Sequence, residues 1–339
     1  MTSPLLPIRH PKKDLFICDF GEVIPKSDIA SMEHPLFTLS TKPDTTIRRY
    51  EHNGNSVQIT PSVLGMATIK DKDILIYCIS QLMAGINKGE KPSRKVSFKA
   101  YDLLVTTNRG TGGREYKLLH QAFDRLRGTS ITTNIKTNDQ EITEGFGIID
   151  SYKIVVDDPE TTRMVELEVT LSEWLYNSVL GKEILSINRD YFRLRKPIER
   201  RIYEIARKHC GKQKQWHIGI EKLHKKVGST GSLKKFKESI SHIIKFNHLP
   251  DYNISLQRGN VIFNYHHYEE PIAVCENHNA LIKPETIEKA RRILGRTFDV
   301  YAIEADWMHW WEQSGKPELQ SPDGAFINFC KVRMEQETS

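Results

Sequence analysis

Ile220-Glu-Lys-Leu-His-Lys-Lys-Val-Gly-Ser-Thr-Gly-Ser-Leu-Lys-Lys-Phe-Lys-Glu-Ser-Ile-Ser-His-Ile-Ile-Lys-Phe-Asn247 decides the fold. Leu233, Phe236, Ile240, Ile243 and Ile244 fall on one stripe, while Lys234, Lys235, Glu238, Ser241, His242 and Lys245 face away, so Ser232–Asn247 is predicted to be an amphipathic helix. Ile220–Val227 is a shorter helix closed by Gly228-Ser-Thr-Gly231. Upstream, Ile198, Ile202, Ile205 and Ala206 recur at helical spacing after Pro197, and Lys214–Ile218 is short and extended. Downstream, Tyr252–Gln257 and Val261–Tyr265 alternate around Arg258-Gly259-Asn260, a hairpin connection. Helix, strand, helix, helix, strand, strand is the order of a winged helix, whose second paired helix is offered to a DNA major groove.

Charge follows that segment. Residues 181–268 hold 19 Lys/Arg against 7 Asp/Glu, a net of +12. The preceding 180 residues net −1 and the tail from Glu269 nets −5, within a whole-chain charge of +6. A phosphate-binding surface requires such a concentration of basic residues.

At 339 residues the chain can hold two or three domains. Cys18, Cys78, Cys210, Cys275 and Cys330 are scattered without a C-x-x-C pair, which points to a reducing compartment and no zinc module. No apolar run approaches the ~20 residues of a membrane span, and no signal-peptide core opens the chain. A soluble, cytoplasmic protein is expected.

Taken in order, residues 1–30 are expected to be a flexible arm, with Pro4, Pro7, Pro11 and Pro25. Leu36–Leu39, Thr46–His52 and Ser56–Thr60 look extended, the latter two joined by Asn53-Gly54. Asp71–Ile86 is a helix with Ile74, Leu75, Cys78, Ile79, Leu82 and Met83 inward. Lys95–Phe98 is a strand, Ala100–Thr107 a helix, and Arg114–Arg127 a helix burying Tyr116, Leu119, Ala122, Phe123 and Leu126. Strands follow at Ser130–Lys136, Phe146–Val156 and Met164–Leu171, then a helix near Ser172–Leu180. The order repeats: Phe98 and Ile218 lie 120 apart, as do Leu103 and Leu223, and the turns at Gly110/Gly113 and Gly228/Gly231 lie 118 apart. Duplication of one unit explains this.

The expected class is therefore α+β: two tandem winged-helix domains, 31–180 and 181–268, a linker over 269–282, and a small helical domain over 283–339. The last has helices at Pro284–Leu294, Val300–Gln313 and Asp323–Glu335. Trp307, Trp310 and Trp311 are expected to pack its core, with a DNA-stacking platform or a partner anchor as the sharper alternatives.

No catalytic, cofactor or metal site is read. Gly110-x-Gly-Gly lacks the Lys-Ser/Thr of a P-loop. His266-His267 are adjacent, so they cannot form the paired-histidine metal site of a nicking initiator, and Asp157-Asp158 reads as a turn. DNA contacts are expected from Ser232, Lys234, Lys235, Ser241, His242 and Lys245 on one helix and from Arg114, Lys117, Gln121 and Arg125 on the other, with Arg109 before it. Lys222, Lys225, Lys226 and Arg258 are expected to position the domain on phosphates.

The stretches Met32-Glu-His-Pro-Leu-Phe-Thr-Leu-Ser40, Asp73-Ile-Leu-Ile-Tyr-Cys-Ile-Ser-Gln-Leu-Met83, Tyr101-Asp-Leu-Leu-Val105, Thr107-Asn-Arg-Gly-Thr111 and Asp190-Tyr-Phe-Arg-Leu-Arg-Lys-Pro197 resemble the plasmid replication initiator protein A family. Arg201-Ile-Tyr-Glu-Ile-Ala-Arg-Lys-His-Cys210 is similar to the signature that opens the second winged helix of iteron-binding initiators. The resemblance implies a bacterial plasmid initiator that binds origin repeats (iterons) in double-stranded DNA and brings in the host's DnaA and replicative helicase. It also implies repression of its own gene and a monomer–dimer switch. The rival readings are a winged-helix transcriptional regulator and an origin-nicking enzyme.

Overall fold

The computed structural model describes residues 4–11, 16–52, 55–137, 140–156, 164–267, 282–294, 300–314, 317 and 319–338. By contacts, residues 1–179 and 183–270 form one compact unit, and residues 271–339 with 180–182 form another.

The chain opens with three short strands, β1 (Ile17–Cys18), β2 (Gly21–Glu22) and β3 (Lys26–Asp28), and helix α1 (Ile29–Glu33). The hairpin β4 (Arg48–His52) and β5 (Asn55–Thr60) leads to α2 (Lys72–Asn87), whose inward face is Ile74, Leu75, Cys78, Ile79 and Leu82. Next come β6 (Lys95–Lys99), α3 (Ala100–Thr106), α4 (Gly113–Gly128), β7 (Ser130–Thr137), β8 (Gln140–Gly147), β9 (Ile149–Val156), β10 (Met164–Leu171) and α5 (Glu173–Leu180). Strand β11 (Ile184–Ser186) and a 3-10 turn (Arg189–Arg193) lead to α6 (Pro197–His209), β12 (Gln215–Gly219), α7 (Ile220–Val227), α8 (Leu233–Phe246), β13 (Tyr252–Gln257) and β14 (Asn260–Tyr265).

The duplication is visible in the sheets. The first half makes an antiparallel sheet ordered β6-β10-β9, and the second makes β12-β14-β13. The starts of β6 and β12, of α3 and α7, and of α4 and α8 are each 120 residues apart. That offset breaks after α4, because β7 and β8 are inserted there and join β4 and β5 in a separate four-stranded sheet. In the second half the wing turns through Arg258 (φ +46°) and Gly259 (φ +78°), two left-handed residues whose twist suits a tight hairpin.

Three expectations need correction. Leu36–Leu39 is not a strand: it makes only an isolated bridge from Thr38 to Thr68. Phe146–Val156 is two strands in different sheets, divided at Ile148, where an atom added to Gly147 would lie 3.0 Å from the carbonyl of Ile149. The described part of the expected flexible arm, residues 4–11 and 16–30, is built into the unit instead. Phe16 is buried and stacks on Phe192 (5.6 Å), and β3 pairs with β11. The Asn53-Gly54 turn, the Asp157-Asp158 turn, most of the 269–282 linker and Cys275 lie outside the described residues.

One continuous hydrophobic core runs through both halves. Within it lies a set of buried ion pairs joining the start of α2 to α6. Lys72 reaches Glu204 at 2.8 Å, with both side chains at most 2% exposed, and Tyr191 donates its hydroxyl to the same carboxylate at 2.8 Å. Arg200 holds Asp73 at 2.6 Å and donates to the carbonyls of Leu194 and Phe192. Arg201 donates to the carbonyls of Ser31, Met32, Glu33 and Lys226, so one guanidinium serves the C-terminal ends of both α1 and α7.

The second compact unit contains α9 (Pro284–Leu294), α10 (Val300–Gln313) and α11 (Pro322–Thr338) around Leu294, Trp307, Trp311, Phe326 and Cys330. Trp307 and Trp311 are core residues, and the Trp311 indole donates to the Pro317 carbonyl at 3.0 Å. Trp310 is 53% exposed and lies 6.1 Å from Phe329. No helix among the described residues is long and apolar enough to cross a membrane.

Removing one partner of a buried, hydrogen-bonded ion pair leaves the other charge unpaired, at a cost of about 3–5 kcal/mol. Arg200→Ala should therefore lower the urea midpoint of the larger unit by a corresponding amount. Lys234→Ala, on an exposed face, should shift stability by no more than about 0.5 kcal/mol. Equal midpoints for the two variants would contradict the structural role given to Arg200.

Candidate nucleic-acid interface

The interface is built from a turn. Helix α7 stops at Gly228, whose φ of +73° suits glycine, and a Cβ there would lie 2.5 Å from that of Pro35. His224 bonds the Gly231 carbonyl at 2.9 Å and its ring rests on Phe236 (4.9 Å). Ser232 then caps α8, accepting from the Lys235 amide, while Leu223, Val227, Phe236, Ile240 and Ile243 are buried beneath. The outward face of α8 is thereby fixed.

Lys222 and Lys225 on α7, Ser232, Lys234, Lys235, Ser241 and Lys245 on and before α8, and Arg258 at the wing turn are all exposed. In the first half Arg114, Lys117 and Gln121 are exposed along one side of α4, at spacings of three and four residues. Lys237, absent from the contacts expected above, is also exposed, three residues beyond Lys234. That spacing was the available signal.

Four expected contacts are turned elsewhere. Arg125 makes a two-pronged bond to Asp71, both arms 2.8 Å. Arg109 reaches Asp73 at 3.0 Å and the Lys70 carbonyl. Both guanidiniums are thus held by the acidic start of α2 rather than offered to phosphate. Lys226 meets the Glu33 carboxylate, which also takes Lys208 and, at 3.2 Å, His209. His242 is half-buried against Phe246 (4.6 Å). Burial and the nearby Lys196 ammonium lower its pKa, which favours a neutral ring.

Burial works against the charge on Glu33, yet hydrogen bonds from His209, Lys208 and Lys226 prevail and hold its carboxyl well below the usual range. Lys226 is lowered, by burial first, with Glu33 partly restoring it. Among the described residues no group of three or more His, Cys, Asp or Glu side chains could hold a metal ion.

Residues 26–254 match the profile of the family described as Replication initiator protein A. The chain belongs to the replication initiator protein A family. A member of similar sequence is the "Putative replication protein" of Wigglesworthia glossinidia brevipalpis, 45% identical over 245 residues, which cover 71% of this chain and 89% of that one. Among solved structures, the fold resembles that of domains 2 and 3 of RctB, with a TM-score of 0.52 at 11% identity over 70% of this chain and 98% of that one. The second likeness concerns the fold. Family membership places the chain among replication initiators, with the mixed helix-and-strand architecture expected of it.

The Glu33 cluster gives a pH signature. Unfolded, this carboxyl titrates near 4.5; folded, it stays ionised far below that. Its stabilisation is complete above the unfolded value and is lost as pH falls through and beneath it. Glu33→Gln should lower the melting temperature at pH 7, and the gap to the unaltered protein should narrow below about pH 4.5. A gap of constant size from pH 7 to pH 3 would refute this account.

Proposed function

We propose that the protein initiates plasmid replication by binding repeated origin sequences in duplex DNA with its two winged helices. In this reading α8 enters one major groove and α4 the next, ~10 bp away along the same face. The observation that carries it is the pair of equivalent helices, each with an apolar face in the shared core and a polar face outward: Lys234, Lys235, Lys237, Ser241 and Lys245 on one, Arg114, Lys117 and Gln121 on the other. Lys222, Lys225 and Arg258 hold phosphates without reading sequence. Arg109, Arg125, Lys226 and His242 support the interface from behind.

Binding recruits host DnaA and the replicative helicase, and the smaller helical unit is assigned to those protein contacts. Its segment of the chain is acidic, and Trp310 lies open on it. Binding at the promoter represses the protein's own gene. The work is done in the cytoplasm of the bacterial host and without covalent chemistry on DNA.

Footprinting on plasmid DNA should show protection recurring at direct repeats. With ~6–10 phosphates neutralised, affinity should fall by about 10³–10⁵ between 50 and 200 mM salt. Binding that ignores salt, or protection of a single palindrome alone, would defeat the proposal. Supercoiled origin DNA incubated with the protein and Mg²⁺ should remain supercoiled; relaxed DNA carrying covalently attached protein would show a nicking enzyme instead.

A further inference from the structure

We propose that residues Leu5–His10 form a strap that positions the first helix-turn-helix for DNA, with Asn108 as the positioning residue. The inference rests on the DNA-binding reading above and adds to it a part of the chain with no contact role there.

Pro4, Pro7 and Pro11 bias the segment to an extended course, so ordering it costs little backbone entropy. At one end it is sewn to the entry of the second half. The Leu6 amide donates to the Arg193 carbonyl at 2.8 Å, Arg193 Nε donates back to the Leu6 carbonyl at 3.0 Å, and Leu5 bridges Leu194. At the other end it is sewn to the turn between α3 and α4. The Arg9 amide donates to Asn108 Oδ1 at 2.8 Å and Asn108 Nδ2 donates to the Pro7 carbonyl at 3.1 Å. The Asn108 side-chain amide thereby pairs with the strap as a neighbouring peptide group would. His10 Nε2 bonds the Arg109 carbonyl at 2.7 Å, and Arg109 itself is held by Asp73.

The duplication supplies an internal comparison. Asn108 lies 120 residues before Gly228, and both are left-handed, with φ of +56° and +73°. In the second turn Pro35 crowds the position and only glycine fits. The first turn uses asparagine, among the side chains that tolerate this backbone region best, and uses its amide as the fastening. Of the strap's apolar side chains, Leu5 packs half-buried against the core while Ile8 is 40% exposed. The strap's contribution is directional hydrogen bonding at the hinge that aims Arg114, Lys117 and Gln121.

Asn108→Gly preserves the left-handed backbone and removes both bonds, Asn108→Asp keeps only the acceptor for the Arg9 amide, and deletion of residues 2–10 removes the strap. Each is compared with the intact protein by melting temperature and by hydroxyl-radical footprinting on one origin repeat. Asn108→Gly and the deletion should melt as cooperatively as the intact chain and keep the protection given by α8. They should lose the protection one helical turn away. If the competent orientation falls to about a tenth of the population, affinity weakens about tenfold. Asn108→Asp should lie between. Full-length protection at unchanged affinity in both Asn108→Gly and the deletion would overturn the strap. Should the intact protein protect no repeat, the DNA-binding reading itself fails. Amide hydrogen exchange then decides the strap separately: the Thr107–Thr111 amides must exchange faster in Asn108→Gly than in the intact chain, and equal rates reject it.

Discussion

The contact between the first turn of α2 and the side of α6 organises the larger unit. Asp71, Lys72 and Asp73 are consecutive, and each is buried and paired: Asp71 with Arg125, Lys72 with Glu204, Asp73 with Arg200 and Arg109. Charges buried this deeply are tolerable only when every one is answered, because an unanswered one costs more than the pair returns. One helical turn therefore ties α4 through Arg125, the α3–α4 turn through Arg109, and α6 through Arg200 and Glu204. The two halves meet as one body because their most deeply buried charges are neutralised in common.

The two halves repeat one order of elements yet differ in what their side chains do. The equivalent helices α4 and α8 keep the same apolar anchoring, but their basic residues have separate destinies. In the first half two of the arginines expected at DNA are held by aspartates, leaving Arg114 and Lys117 outward. In the second, Lys226 goes to Glu33 while Lys234, Lys235, Lys237 and Lys245 stay exposed. The inserted strands β7 and β8 give the first half a second sheet.

The helices were legible because amphipathic periodicity is local: α7 was placed as found, and α8, α9 and α10 to within a residue at either end. The repeat was legible because insertion spared the spacing up to α4. What the sequence concealed was long-range. Arg125 and Asp71 are 54 residues apart, and nothing in the helical pattern of α4 distinguishes Arg125 from Lys117. His242 reads as polar and outward until Phe246 is seen to cover its ring. Prolines made the opening residues look loose, although Phe16 and Cys18 beside them were fit to be buried. The division between β8 and β9 escaped because both strands share one extended, alternating run.

The pairing of β3 with β11, and of Leu5 with Leu194, has a consequence for synthesis. These partners lie about 160 and 190 residues apart in the chain, so the opening segment leaves the ribosome long before anything exists for it to pair with. At ~5–20 residues per second that wait is on the order of ten seconds or more. Through it, the edge of β3 stays unpaired, the condition in which chaperones are engaged and nascent chains stick to one another. A gene fragment ending before the second half would make a first half that lacks its lid.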